Sequence, residues 1–139
     1  MLTGIHLNNF VLAEALTIDC DNGLSVITGE TGAGKSIWID AIGFALGQRA
    51  NTHLIRHGTE RCCVTLSFNI EGNNACQQWL KSHELFFEDT ECIIKRTLTT
   101  DGRSKALING QPCPLHLIRQ CSEYLLIIHS QHQHHALLK

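Results

Sequence analysis

One stretch of the chain combines residue types at a spacing that suits phosphate chemistry. It follows the pattern G-x-x-x-x-G-K-[ST] and consists of Gly29, Glu30, Thr31, Gly32, Ala33, Gly34, Lys35 and Ser36. Glycines let backbone N–H groups point at an anion without a side chain in the way. The lysine adds a positive charge for the outer phosphates, and the Ser36 hydroxyl can bind Mg²⁺. The motif therefore predicts a site for a nucleoside triphosphate with Mg²⁺.

The residues around this motif predict the strand, loop and helix that such a site needs. Residues 24–28 form an apolar run of strand length, and an amphipathic run starts at Ile37. We expect a helix over about 35–46, with its positive end directed at the phosphates. Gly47 suits the end of that helix. Three residues at helical spacing are predicted to face the core, namely Ile39, Ile42 and Leu46.

The carboxylate that a hydrolytic site of this type also needs is hard to find. It should follow a second buried strand, where it holds Mg²⁺ and the attacking water. After residue 60 the one candidate is Glu71, which ends an amphipathic strand before a turn, while Asp19 and Asp40 come too early. A complete small P-loop kinase is therefore an alternative hypothesis that lacks its carboxylate and its acceptor site.

Composition bounds the class of protein. The chain has 139 residues, of which 43% are hydrophobic and 17% charged, so it is long and apolar enough for one globular domain. A net charge of -2 gives no global signature of nucleic-acid binding. We see no signal peptide and no apolar run of about 20 residues, the length that a membrane span needs.

The cysteines and histidines raise the question of a metal site. The seven cysteines are odd in number and include no C-x-x-C pair, which is typical of reduced thiols in a cytosolic protein. Zinc is the alternative, although structural zinc sites usually have short paired spacings. Residues 129–135 contain four histidines, for which metal binding and a solvated tail are both open.

Period-two and period-3.6 patterns predict the remaining elements. The predicted strands are 3–8, 10–18, 62–70, 91–99, 104–108 and, as a continuous apolar run, 124–128. The predicted helices are 75–83 and 114–121, and residues 48–61 are predicted to be a loop with one helical turn. Asp101-Gly102 and Asn109-Gly110 are turn signals.

A small group of basic residues flanks the first of these turns. Lys95 and Arg96 precede Asp101-Gly102, and Arg103 and Lys105 follow it, so a hairpin brings them onto neighbouring strands. A solvated hairpin face is one interpretation. The other is a patch that contacts DNA phosphates, because such contacts need only a few well-placed cations. A non-catalytic DNA-binding module is thus a further hypothesis.

Several segments together resemble one known family. IHLNNF (5–10), VITGETGAGKS (26–36) and DAIG (40–43) are similar to the start of SMC-like ATP-binding cassette proteins. DGRS (101–104), ING (108–110) and IHSQH (128–132) resemble a bacterial DNA-repair branch of that family. The resemblance covers essentially the whole chain. It implies an α/β fold, namely the N-terminal lobe of a P-loop ATPase head with a mixed or antiparallel β subdomain.

The resemblance also implies the site residues beyond the phosphate loop. It identifies the cofactors as ATP and Mg²⁺, and Gln131 as the Q-loop glutamine that reaches the metal together with Ser36. Gln133 is the alternative to Gln131, and Ser130 stands where the family usually has glycine.

Three earlier residues are implied more weakly. Asn8 and Phe10 lie where related heads approach the nucleotide, and Arg56 lies in a loop that such heads use near nucleotide or DNA.

Other parts of such a head are expected beyond residue 139. They are a coiled coil and a second lobe with the signature motif and the missing carboxylate. We therefore expect residues 1–139 to be an N-terminal lobe that does not hydrolyse ATP alone. The resemblance implies that, in the intact protein, two heads sandwich ATP during recombinational repair of double-strand breaks. The implied partners are DNA, the second lobe and a second protomer, in the cytoplasm at the nucleoid.

Overall fold

The computed structural model describes residues 1–20, 32–88 and 90–126, with the backbone alone for 32–36. The strands are β1 (Leu2–Phe10), β2 (Ala13–Asp19), β3 (Arg61–Asn69), β4 (Glu91–Thr99), β5 (Ser104–Ile108) and β6 (Gln111–Pro112). The helices are α1 (Gly32–Ala45), α2 (Asn74–Ser82) and α3 (Leu115–Leu126), and a single 3₁₀ turn covers Thr52–Leu54. The predicted strand over 24–28 lies outside the described residues.

The strands form one sheet in the order β2-β1-β3-β4-β5-β6. Every pairing between them is antiparallel. The longest register joins β3 and β4, from Arg61 opposite Thr99 to Asn69 opposite Glu91. The predicted bounds of β4 and β5 are confirmed, because alternating patterns and the Asp101-Gly102 turn define both strands.

The core lies between one face of the sheet and the three helices. Alternate residues of β3, such as Val64, Leu66 and Phe68, are buried, as are Ile94 and Leu98 of β4. The residues between them face outward and are polar or only half-buried. Helix α1 contacts β1, β3 and β4, and α2 packs on α3. The second face of the sheet is left open by the part of the chain that the structure describes.

Helix α1 is confirmed, but its buried stripe is shifted from the prediction. Ile42 and Leu46 are buried as expected, whereas Ile39 is 40% exposed and Trp38 is only 6% exposed. Trp38 and the residues three, four and seven positions after it are buried. Ile39 therefore faces away from the core. The prediction for Ile39 was therefore wrong within this chain.

The C-terminal end of α1 is a Schellman motif. Gly47 has a φ of 105°, a conformation that glycine adopts without strain. Its N–H donates to the carbonyl of Phe44 (3.2 Å), and the N–H of Gln48 donates to that of Gly43 (3.0 Å). The predicted helix end at Gly47 is confirmed.

Helix α3 corrects a prediction. A helix was expected over 114–121 and a buried strand over 124–128, but one helix runs from Leu115 to Leu126. Ile118, Cys121, Ser122 and Leu125 are buried at helical spacing. A short apolar run fits a strand and a buried helix equally well, so the pattern misled at this position. Residues 127 and 128 lie outside the described part of the chain.

No helix in the described ranges is long and apolar enough to span a membrane.

Candidate nucleotide-binding site

The phosphate-binding motif runs into the start of α1. Its last five residues, Gly32 to Ser36, lie within the helix bounds, while Gly29, Glu30 and Thr31 lie outside the described residues. The first N–H groups of a helix have no intrahelical acceptor, and the helix dipole makes this end positive. An anion is therefore favoured where the motif places a triphosphate. The backbone at the start of α1 therefore fits the predicted triphosphate.

Two other parts of the predicted site cannot be placed on the structure. Gln131, its alternative Gln133 and the histidine-rich segment 129–135 all lie outside the described residues. Their assignment remains a prediction.

The opposite end of α1 is held by a buried arginine. Arg96 of β4 is 1% exposed, and its Nη1 donates to the carbonyls of Phe44 (2.8 Å) and Gln48 (2.5 Å). Its guanidinium carbon lies 4.5 Å from the centroid of the Phe44 ring, and Nη2 donates to Ser104 Oγ (3.3 Å). Burial, and secondly the charge of Arg119, lower the pKa of Arg96.

These contacts correct one predicted DNA contact. Arg96 shares the face of β4 that carries Ile94 and Leu98, so its charge points into the protein. Its Nη groups donate to Phe44, Gln48 and Ser104 inside the protein and are not available to DNA phosphates. The prediction that Arg96 joins an exposed basic patch was wrong.

A second arginine reaches the same helix end from α3. Nε of Arg119 donates to the carbonyl of Gly47 (2.9 Å). Phe44 belongs to the last turn of α1, and Gly47 and Gln48 come shortly after it. Because the C-terminal end of a helix is its negative end, the positive charges of both arginines stabilise it. Sequence patterns did not predict this arrangement, because the residues are far apart in the chain.

The structure places Phe10 beside α1 in the core and Asn8 on the opposite, open face of the sheet. Phe10 is fully buried, and its ring centroid lies 5.8 Å from that of Phe44. Asn8 is half-buried on the open face of the sheet, in register with Ala15 and Cys63. The Phe10 ring therefore supports α1 from the core and is not exposed to a ligand.

Arg56 lies in a loop that is fixed to the β1–β2 turn. Its N–H donates to the carbonyl of Asn9 (2.8 Å), and its side chain pairs with Glu14 at 4.0 Å. The N–H of Val11 donates to Leu54 in the same loop (2.6 Å). The Arg56 side chain is 38% exposed, so it is accessible to a ligand, but it already has an acidic partner.

The remaining basic residues define an exposed patch on the open sheet face. Lys95 and Lys105 are exposed, and they are diagonal neighbours, because Lys105 pairs with Thr97. On the same face, Arg61 of β3 is exposed opposite Thr99. We call Arg61, Lys95 and Lys105 the basic face. Arg61 was not predicted to join a basic patch, although the alternation of β3 indicates that it faces outward.

Arg103 lies at the hairpin tip beside this face. It is exposed, and its Nε lies 3.5 Å from Asp101, so its charge is partly balanced locally. An exposed pair of this kind contributes little free energy, and Arg103 can exchange this partner for another anion.

The described residues contain no group of three side chains suited to hold a metal ion. Glu71, the candidate acid after residue 60, is exposed in the turn between β3 and α2. That position differs from the end of a buried strand, where a hydrolytic site needs its carboxylate.

Comparison with known proteins defines the class first. The family model described as the RecF/RecN/SMC N terminal domain matches residues 1–130. The chain belongs to this family.

Solved SMC heads agree in fold: a chain from a study of "ATP-driven dimerization and DNA stimulated activation of SMC ATPases" matches with a TM-score of 0.70. The two are 24% identical, and the match covers 99% of this chain and 96% of the other. The SMC head domain from Thermotoga maritima gives a TM-score of 0.60 at 22% identity, over 86% of this chain and 41% of that one.

Relatives with higher sequence identity indicate one branch of this family. The chain is 43% identical over 139 residues to the DNA repair protein RecN of Vibrio cholerae, and 45% identical over 141 residues to that of Haemophilus influenzae. Each match covers 100% of this chain and 25% of the relative, so the chain spans about a quarter of their length. The expected fold class and the DNA-repair branch are both confirmed, and neither alternative hypothesis is favoured.

Proposed function

We propose that residues 1–139 form the N-terminal ATP-binding lobe of a RecN-like protein that acts in recombinational repair of DNA double-strand breaks. The observation that carries this proposal is the phosphate-binding motif that ends in the first turn of α1. The relatives named DNA repair protein RecN support the biological role. The action takes place on DNA in the cytoplasm, at the nucleoid.

The chain contributes binding and orientation to this function. The N–H groups at the start of α1 would attract the triphosphate, Lys35 would balance the charge of its outer oxygens, and Ser36 and Gln131 would hold Mg²⁺. Bound Mg²⁺ would neutralise charge that develops on the phosphates. A carboxylate and a signature motif come from a second lobe and a second protomer, so ATP hydrolysis requires the head dimer.

A titration of the isolated chain tests its share of this function. We expect weak binding of Mg-ATP, detected as amide shift changes by NMR, and its loss in Lys35→Ala. We expect no ATP turnover above background, because the described acids offer no suitably placed carboxylate. Robust turnover by the purified chain that Lys35→Ala abolishes would sink the proposal and favour a self-contained enzyme.

A chimera tests the biological role. Residues 1–139 would replace the matching quarter of the Vibrio cholerae relative, and the chimera would be expressed in cells that lack that relative. We expect it to restore survival after double-strand breaks, and the same chimera with Lys35→Ala to fail. Equal survival with both chimeras would argue against a role of the ATP site in repair.

The basic face supports a second element of the proposal, which is contact with DNA phosphates. Arg61, Lys95 and Lys105 lie on the open sheet face, and none of them has an acidic partner among the described ion pairs. Lys95 and Lys105 are diagonal neighbours on adjacent strands, and such neighbours are roughly 7–8 Å apart. This distance is similar to the spacing of phosphates along a nucleic-acid strand. Such contacts position a protein on DNA without reading sequence.

A further inference from the structure

The C-terminal end of α1 is fastened to two other elements by the two arginines. Arg96 bridges the carbonyls of Phe44 and Gln48 from β4, and Arg119 binds that of Gly47 from α3. We call Arg96 and Arg119 the arginine clamp. Phe44 lies in the last turn of α1, and Gly47 and Gln48 form the turn that ends it, so the C-terminal end of α1 is tied to the sheet and to a helix.

The burial of Arg96 is costly for the fold. The described ion pairs are Arg56–Glu14 and Arg103–Asp101, so Arg96 has no carboxylate partner in the described part of the chain. Its Nε is buried and has no hydrogen-bond partner there. Well-packed apolar residues often stabilise a core as well as buried charges do or better. Core stability alone is therefore a poor explanation for arginine at this position, and its directed bonds to α1 offer a better one.

Helix α1 connects the arginine clamp at its C-terminal end to the phosphate-binding motif at its N-terminal end, so a change in the clamp can move the motif. Helix α1 has 14 residues and begins at Gly32 within that motif. It is a rod of about 21 Å, at about 1.5 Å per residue. When a rod is held at one end, a small rotation there displaces the other end. A displacement of about 1 Å in a site can cost a hundredfold in rate.

We propose that Arg96 and Arg119 are positioning residues that fix the direction of α1, and thereby the place where its first turn meets a triphosphate. This inference rests on the proposed ATP site. Nη1 of Arg96 donates to both carbonyls, Nη2 donates to Ser104, and the planar guanidinium lies over Phe44, a combination that lysine does not reproduce. Arg96→Lys keeps the charge but loses the second nitrogen and the planar group over Phe44, so it should rescue only part of the function.

The experiment uses the whole chain and two measurements by NMR. The variants are Arg96→Met, Arg96→Lys and Arg119→Met. Lys81→Met is the control for loss of an exposed cation, because Lys81 lies on α2, outside the basic face and the nucleotide site. Ile108→Val, at a buried position of β5, is the control for loss of stability. All measurements are made well below the melting temperature of each variant, and the Arg119→Met variant serves if Arg96→Met does not fold.

The first measurement is amide hydrogen exchange along α1. We expect exchange at residues 36–41 to become about tenfold faster in Arg96→Met, less so in Arg96→Lys, and to stay unchanged in both controls. A change confined to residues 42–48 would mean that the arginines only cap the helix end, and it would overturn the inference.

The second measurement is the dissociation constant of Mg-ATP. We expect it to rise about tenfold in Arg96→Met, with partial rescue in Arg96→Lys. Unchanged affinity in folded Arg96→Met and Arg119→Met would overturn the inference. If the wild-type chain binds no ATP, the proposed function fails for this chain, while the exchange data still decide whether the clamp directs α1.

Discussion

The side chain of Arg119 occupies the space where Gly47 would carry a Cβ. A Cβ built on Gly47 would lie 2.7 Å from Cγ of Arg119, closer than real contacts of this kind. Nε of the same arginine donates to the Gly47 carbonyl at 2.9 Å. The end of α1 therefore depends on the absence of a side chain at position 47, both for the left-handed backbone and for the approach of α3.

Gly47→Ala should destabilise the chain by about 2 kcal/mol. A left-handed residue other than glycine costs about 1–2 kcal/mol, and displacement of Arg119 adds to that cost. Urea unfolding of Gly47→Ala, Arg119→Ala and the double variant forms a double-mutant cycle. Because Arg119→Ala removes the clash, the glycine change should cost less in that background. Additive costs would mean that the two residues are not coupled.

Asn109 joins the β5–β6 turn to two other segments. With Gly110 it has a positive φ at both central positions of the turn, as a type I′ hairpin requires. Its Oδ1 accepts from the N–H of Ile93 (2.9 Å), and its Nδ2 donates to the carbonyl of Leu85 (2.9 Å). Sequence patterns predicted the turn but not these long-range bonds.

We expect graded losses of stability at this position. Asn109→Ala should cost about 3 kcal/mol, from two hydrogen bonds and a strained backbone. Asn109→Gly should cost about 2 kcal/mol, because it keeps the backbone and loses the bonds. Chemical denaturation checks this order. If glycine were as damaging as alanine, the backbone conformation would contribute nothing.

The buried thiol of Cys62 predicts a loss of stability at high pH. Burial, and secondly the neighbouring Cys63, raise the pKa of Cys62 to about 11 from its ordinary value of 9.0. Above pH 9 the unfolded chain releases this proton while the folded chain keeps it. The unfolded state then binds fewer protons, so the free energy of unfolding falls as the pH rises from about 9 to about 11.

The expected contribution of this thiol is about 2 kcal/mol over that range. Burial raises the pKa of Cys113 as well and adds a loss of the same sign. Unfolding by urea at a series of pH values should therefore give a shallower decline for Cys62→Ala than for the wild type. Parallel declines in the two proteins would show that Cys62 does not contribute.

Sequence patterns predicted the elements better than the contacts between them. Strands β4 and β5 follow from alternation and a strong turn signal, and α1 from the motif that precedes it. The end of α3 was missed because the apolar run from Tyr124 has no period that separates helix from strand. The sequence Gly72-Asn73-Asn74 already predicted a cap for α2, and Asn73 provides it, but only the tertiary structure shows that Asn73 also donates to the carbonyl of Tyr124 (2.9 Å).

In the nucleotide-binding site too, the sequence predicted local features better than contacts between distant residues. The phosphate-binding motif is local in sequence and could be read directly, whereas the arginine clamp could not. The alternation of β4 could have placed Arg96 with Ile94 and Leu98 on the inner face, but Arg96 was predicted to join Lys95 in a basic patch. The alternation did not indicate which acceptors a buried guanidinium would find. Those acceptors, Phe44 and Gln48, come from the end of α1 about 50 residues earlier in the chain.

If the basic face contacts DNA, variants of its residues should bind DNA more weakly than variants of other exposed cations. Replacement of Arg61, Lys95 and Lys105 by alanine should weaken binding of a short duplex at every sequence. Each lost phosphate contact should also reduce the slope of log K against log salt concentration by about 0.9. Fluorescence anisotropy with a labelled duplex between about 50 and 200 mM salt measures both quantities.

Two controls make this prediction specific. Arg49→Ala with Lys81→Ala removes exposed cations that do not belong to the basic face, and it should leave the salt slope nearly unchanged. Arg103→Ala should reduce the slope less than Lys95→Ala, because Arg103 already pairs with Asp101 in the free protein. A salt slope that is the same for the triple variant and the wild type would show that DNA contacts the chain elsewhere. The open face of the sheet would then have to be explained by another partner.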